Sequence, residues 1–177
     1  MKKPSLENPF VFTPSVVLLP LLFVLLLWTV FWVEKHFHIS LSHYGVYPRE
    51  AFGAKGIFFS AFLHGDLKHL INNSLALLVL LAALRFFYRE QSFVVLFFGI
   101  VFSGLGTWLL GRPSYHIGAS GVVYLLVSFI FFSGIFRKYY RLTALSLIVV
   151  FLLIYNFIYS SFKYKSISFN KFFEVWI

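Results

Sequence analysis

Apolar runs separated by short polar links dominate this chain. A helix that crosses a membrane needs about 20 mostly apolar residues. Five runs approach that length: Ser15–Val33, Leu67–Leu84, Phe93–Leu110, Ala119–Phe136 and Leu142–Tyr159. The pattern predicts an all-α polytopic membrane protein with five spanning helices. Pro20 falls near the start of the first run, where a proline is best tolerated. Asp66 precedes the second run and is the expected N-cap of that helix. The segment between the first two runs, residues 34–66, is long for a loop. It carries Phe52, Ile57, Phe58, Phe59, Phe62 and Leu63, which predicts a segment dipping into the membrane interface. Gly99, Ser103, Gly104 and Gly106 make one stretch of the third run small-sided, as close helix packing in a bilayer requires.

Composition sharpens this picture. The 177 residues are 60% hydrophobic and 12% charged, against roughly 25% charged in soluble domains. The net charge of +9 fits topology rather than nucleic-acid binding, because the basic residues cluster at run ends. Lys2 and Lys3 precede the first run, Arg85 and Arg89 follow the second, and Arg137, Lys138 and Arg141 fill the link after the fourth. Positive residues stay inside, so the N-terminus is expected in the cytoplasm and the 34–66 segment outside. The first run lacks a small-residue cleavage site after it, so it is expected to be a retained helix. The absence of cysteine excludes disulfides and thiolate metal sites; neither cofactor nor metal is expected.

The candidate chemistry lies where lipid would be expected. Polar groups at such depth are costly and functional candidates by default. Gly118-Ala119-Ser120-Gly121 opens the fourth run. His64, His69 and Asn73 open the second, with His69 and Asn73 four apart and hence on one helical face. A serine hydroxyl needs a general base, and its tetrahedral intermediate needs hydrogen-bond donors. The Ser120 backbone N–H sits at a helix N-terminus, where such donors are unpaired. Gly118 and Gly121 allow close approach of backbone and substrate. Tyr124 lies one turn after Ser120 on the same face. Each feature has a plainer alternative: a small-residue helix entry, interfacial histidines, and an asparagine serving as interhelical glue. A small transporter or channel using the same polar groups predicts them spread over several spans, whereas here they cluster near one face.

The H-x4-H-x3-N pattern at His64, His69 and Asn73, and the G-x-S-G at Gly118–Gly121 with Tyr124 following, resemble the rhomboid intramembrane serine proteases. Tyr47-Pro48-Arg49 and the basic turn 137–141 are also similar to bacterial members. The resemblance runs from about residue 15 to about residue 152. It implies a rhomboid-like helical bundle in the cell membrane, normally of at least six helices, that cleaves transmembrane protein substrates within the lipid bilayer. Ser120 would be the nucleophile. His64 and Asn73, with the Ser120 amide, would form the oxyanion hole. His69 would be a supporting residue that retains water, and Tyr124 would pack against the catalytic histidine.

That histidine is expected on a sixth helix bearing A-H-x-x-G, yet no histidine follows His116. His36, His38 and His43 are expected to be solvated, and His116 to brace the link before Ser120. Phe, Ile, Tyr, Asn and Lys supply 17 of the last 25 residues, with no Gly, Ala, Pro or His. The composition therefore predicts two parts: an incomplete rhomboid-like transmembrane domain, 1–152, and an atypical tail, 153–177, that ends the fifth helix. A shifted frame or truncation near residue 152, or a naturally divergent tail, would produce it. The expected function is serine endopeptidase activity crippled by the missing base, or a pseudoprotease that binds transmembrane segments without cutting.

Overall fold

The computed structural model describes residues 13–152 and residue 154. The expectations for the N-terminal lysines and for the tail beyond residue 154 lie outside the described residues. The long helices are α1 (Ser15–His36), α3 (Leu67–Phe87), α4 (Ser92–Leu110) and α5 (Ser120–Phe136); a short α2 (Gly56–Phe59) lies in the first loop. A final helix, α6, covers Tyr140–Leu152, and Ile154 is also helical. Among the described residues the structure is helical apart from loops and one isolated β-bridge, in agreement with the all-α expectation.

α1, α3 and α4 are long and apolar enough to cross a membrane. α5 has 17 residues, or about 26 Å at 1.5 Å per residue. The described part of α6 is shorter still. The chain divides into two compact units after Ser128, within α5.

In the first unit α3 is the most buried spanning helix. Half of its apolar stretch is buried, against 22% in α1 and 17% in α4. Leu70, Leu77, Leu80, Leu81 and Leu84 are fully enclosed. Lipid is as apolar as leucine, so helices associate in it through packing and hydrogen bonds rather than a hydrophobic force. Both occur here. The Trp28 indole N–H of α1 donates to Ser74 Oγ of α3 at 3.0 Å, and that hydroxyl donates to the Leu70 carbonyl at 2.7 Å. At the other end of α3, Arg85 donates to Ser15 Oγ of α1 (3.2 Å), to Ser92 Oγ of α4 (3.1 Å) and to the Arg89 carbonyl. One guanidinium thus gathers three helix ends, using the several donors of its rigid fork.

The 34–66 segment is ordered into short helical turns, with Phe52, Phe58 and Phe59 about half exposed. Its α2 lies on α4 at Gly104, where a Cβ would come within 2.6 Å of the Ile57 Cα. The small residues of α4 therefore divide by task. Gly104 admits α2, Gly99 and Ser103 face Val122 and Gly121 of α5, and Gly106 touches nothing within 4 Å.

In the second unit, Gly134 of α5 lets Thr143 of α6 approach, its Cβ position lying 2.7 Å from Thr143 Oγ1. The Tyr139 N–H donates to the Gly134 carbonyl at 2.8 Å. Leu142, Ser146 and Val149 are buried.

These contacts predict opposite outcomes for two neighbouring glycines. Gly104→Val should lower thermal stability in detergent by about 1–3 kcal/mol through overpacking. Gly106→Ala should leave it unchanged or slightly raised. Thermal unfolding followed by circular dichroism checks both.

Candidate active site

Two short segments carry the candidate residues, and their backbones decide how they meet. Asp66 caps α3 as expected, its Oδ1 accepting the His69 N–H at 2.8 Å. This cap sets the first turn of α3 and puts His69 and Asn73 on one face. His64 precedes the cap and folds back over that turn. Its Nε2 lies 3.0 Å from Asn73 Nδ2. The amide N–H can only donate, so Nε2 accepts and the imidazole proton sits on Nδ1. His64 and Asn73 are 2% and 3% exposed. The His64 and His69 rings meet edge to face, with centroids 5.2 Å apart.

Ser120 arrives from the other side. The link before it is held by backbone hydrogen bonds to the first loop. Val46 and His116 form an antiparallel bridge, Val46 N–H to His116 O at 3.0 Å and His116 N–H to Val46 O at 2.8 Å. Further along, the Gly118 N–H donates to the Ser60 carbonyl at 2.8 Å. Gly118 has φ of +120°, a conformation that favours glycine. A Cβ there would also lie 2.5 Å from His69 Cε1 and 2.9 Å from its Nε2. The His69 ring thus lies directly on the Gly118 backbone, two residues before Ser120. Gly121, just after the serine, faces Ser103 of α4 so closely that a Cβ would clash with its hydroxyl.

Ser120 is the first residue of α5 and half-buried. Among the described residues neither its Oγ nor its N–H has a hydrogen-bond partner. Tyr124, one turn on, is 60% exposed and has no ring contact with a histidine among the described residues. Three of the other histidines are engaged elsewhere, and His38 is exposed. His36 stacks on Trp32 with centroids 4.6 Å apart. His43 Nδ1 lies 3.1 Å from the Ser40 carbonyl. His116 Nε2 lies 3.0 Å from the Arg112 carbonyl and braces the link. No described histidine hydrogen-bonds Ser120.

The structure therefore brings together His64, His69, Asn73 and Gly118. Three positions with a structural part here were not among the candidate site residues: Val46, Ser60 and Ser103. Val46 and Ser60 act through backbone atoms, which leave no mark in a side-chain pattern.

His64 lies outside the spanning helices, and its environment is distinctive. Burial, and then the nearby His69, lower its pKa from 6.5 to about 4. The Phe62 carbonyl and the Asp66 carboxylate oppose that shift, although the carbonyl falls outside hydrogen-bond geometry and leaves Nδ1 without a partner. The site thus contains a neutral imidazole, a carboxamide, a second imidazole and a serine at a helix N-terminus. No group of three or more His, Cys, Asp or Glu capable of holding a metal occurs among the described residues.

A helical, multi-pass membrane protein with a serine-bearing helix entry lying on a histidine–asparagine face is the class defined by this fold and site. Residues 52–170 match the Rhomboid domain family, and the chain belongs to the rhomboid family. It is 33% identical over 129 residues to uncharacterized proteins of Mycobacterium tuberculosis (strain ATCC 25618 / H37Rv) and Mycobacterium bovis (strain ATCC BAA-935 / AF2122/97), covering 67% of this chain and 52% of each relative. An uncharacterized protein of Mycobacterium leprae (strain TN) is 31% identical over 129 residues, or 49% of its length. The chain spans about half the length of these curated relatives. No solved structure matches it.

The lowered His64 pKa makes a pH prediction. Above pH 6.5 the imidazole is neutral in both folded and unfolded chains. As pH falls from 6.5 towards 4, the unfolded chain takes up a proton that the folded chain refuses, so stability declines across that window. A shift of this size corresponds to about 3 kcal/mol. His64→Gln should remove that part of the decline, as read from thermal unfolding in detergent between pH 4 and 7.

Proposed function

We propose that this chain is built as an intramembrane serine endopeptidase acting on transmembrane protein segments, in the cell membrane with its N-terminus in the cytoplasm. The observation that carries the reading is the contact between the His69 ring and the Gly118 backbone, which joins the histidine–asparagine face to the serine motif. In this proposal Ser120 Oγ attacks the scissile carbonyl. The oxyanion that forms is met by the Ser120 N–H, by Asn73 and by a histidine.

The geometry favours His69 for that donor, and this alters the expected division of labour. His69 lies against the serine loop and its ring nitrogens have no other hydrogen-bond partner among the described residues. His64 Nε2 is already engaged by Asn73. Asn73 has two amide hydrogens. Giving one to His64 fixes the carboxamide plane and leaves the other for the oxyanion. His64 is then a positioning residue. Tyr124 would face the general base from one turn below the serine, and Gly118 and Gly121 give the close approach.

Among the described residues, Ser120 has no hydrogen-bonded general base. No histidine follows His116 in these 177 residues; in the second reading, a polypeptide of these residues acts as a pseudoprotease that binds transmembrane segments. Without a positioned base the rate falls by about 10²–10⁴. Removal of the base from a serine catalytic unit costs up to about 10⁶.

A polypeptide of these 177 residues, reconstituted in liposomes with a transmembrane substrate, is therefore expected to cleave negligibly. Fusing a further helix that presents a histidine beside Tyr124 should restore cleavage that Ser120→Ala abolishes. Robust Ser120-dependent cleavage by the 177-residue polypeptide would refute the missing-base argument. Cleavage that survives Ser120→Ala would refute the nucleophile.

A further inference from the structure

An open groove of about 400 Å³ is lined in part by Phe59, Phe62 and Leu63, in the stretch of chain that leads into His64. Leu26 and Val30 of α1 form one wall, and Phe59, Phe62 and Leu63 form the other, with Leu41 and Tyr44 at the loop end. We propose that this groove is a binding site for one acyl chain of an anionic phospholipid, independent of the proteolytic reading.

Three features select that occupant. The lining is apolar and sits where a spanning helix meets the interfacial segment, so what reaches it comes from the bilayer. The groove is small: a helix with side chains is about 10–12 Å across, whereas a single hydrocarbon chain fits a narrow slot. The rim is cationic. Lys55 Nζ lies 4.7 Å from the centre of the Tyr44 ring, and Lys35 Nζ lies 3.5 Å from the Gly65 carbonyl, just past Leu63. The neighbouring carboxylates are engaged with backbone N–H groups: Glu34 accepts from the Leu41 N–H at 2.7 Å and Asp66 from the His69 N–H at 2.8 Å. A chain in the groove thus leaves its phosphate at Lys55, with Lys35 on the adjoining turn. Such an occupant also backs the Phe62–Leu63 peptide, which leads directly into His64.

Native mass spectrometry of the purified chain in nonionic detergent tests this, using phosphatidylglycerol and phosphatidylcholine with identical acyl chains. One juxtamembrane lysine contributes about 1 kcal/mol toward an anionic lipid, so a one-to-one phosphatidylglycerol adduct should form about fivefold more tightly than the phosphatidylcholine adduct. Val30→Trp fills the groove and should abolish both adducts while circular dichroism shows retained helix. Lys55→Gln, a surface change that leaves the walls intact, should make the two lipids bind equally. Equal binding of both lipids by the unaltered chain would overturn the proposal. So would an undiminished adduct in a folded Val30→Trp variant. A transmembrane peptide that binds in place of lipid and is blocked by Val30→Trp would assign the groove to protein instead.

Discussion

The backbone bridge between Val46 and His116 is the constraint on which the candidate site depends. Membrane helices attract one another through packing that is only weakly directional. Such packing alone leaves the rotation and depth of a helix entry loosely set. The bridge fixes the link before α5 with two hydrogen bonds, and the Gly118 N–H to Ser60 bond continues the registration. The first loop is fixed in turn against α4, where α2 lies against Gly104 and the Trp108 indole donates to the Glu50 carbonyl at 3.1 Å. The spanning helices supply a frame, and the first loop sets where Ser120 enters it.

The histidine–asparagine pair shows a different physics. A buried polar atom without a partner costs about 1–3 kcal/mol, and His64 Nδ1 is such an atom. The ring is retained in a neutral form by burial, and its acceptor nitrogen holds the Asn73 amide. A leucine would fill the same space without the orphaned donor. What it could not do is orient a carboxamide on the face that His69 shares. A local conflict between packing and polarity of this kind marks sites where chemistry rather than stability has shaped the choice of residue.

Much of the architecture was legible because membrane helices must be long and apolar, so α1, α3 and α4 stood out. Asp66 was legible as a cap because a short acceptor side chain before an apolar run has one good use. The rest was hidden for physical reasons. Gly99, Gly104 and Gly106 look alike along the chain, and only the partner across the interface distinguishes them. Arg85 carried a topological signal, yet its bonds to Ser15 and Ser92 depend on where three helix ends converge. Val46 occupies a segment without periodicity and acts through its backbone. His64 and His69 share a motif, and only the fold shows that the Gly118 loop touches the ring of His69.

The chain contains no cysteine, so a single engineered pair reports on the bridge without background. Residues opposite one another in a hydrogen-bonded antiparallel pair have Cα atoms about 5.5 Å apart, within the span a disulfide accepts. A Val46→Cys/His116→Cys variant oxidised in membranes should form one intramolecular disulfide, seen as the loss of both free thiols by mass spectrometry. Two thiols that stay free and alkylatable after oxidation, in a chain that has kept its helix content, would contradict the claim that the first loop holds the serine link in place.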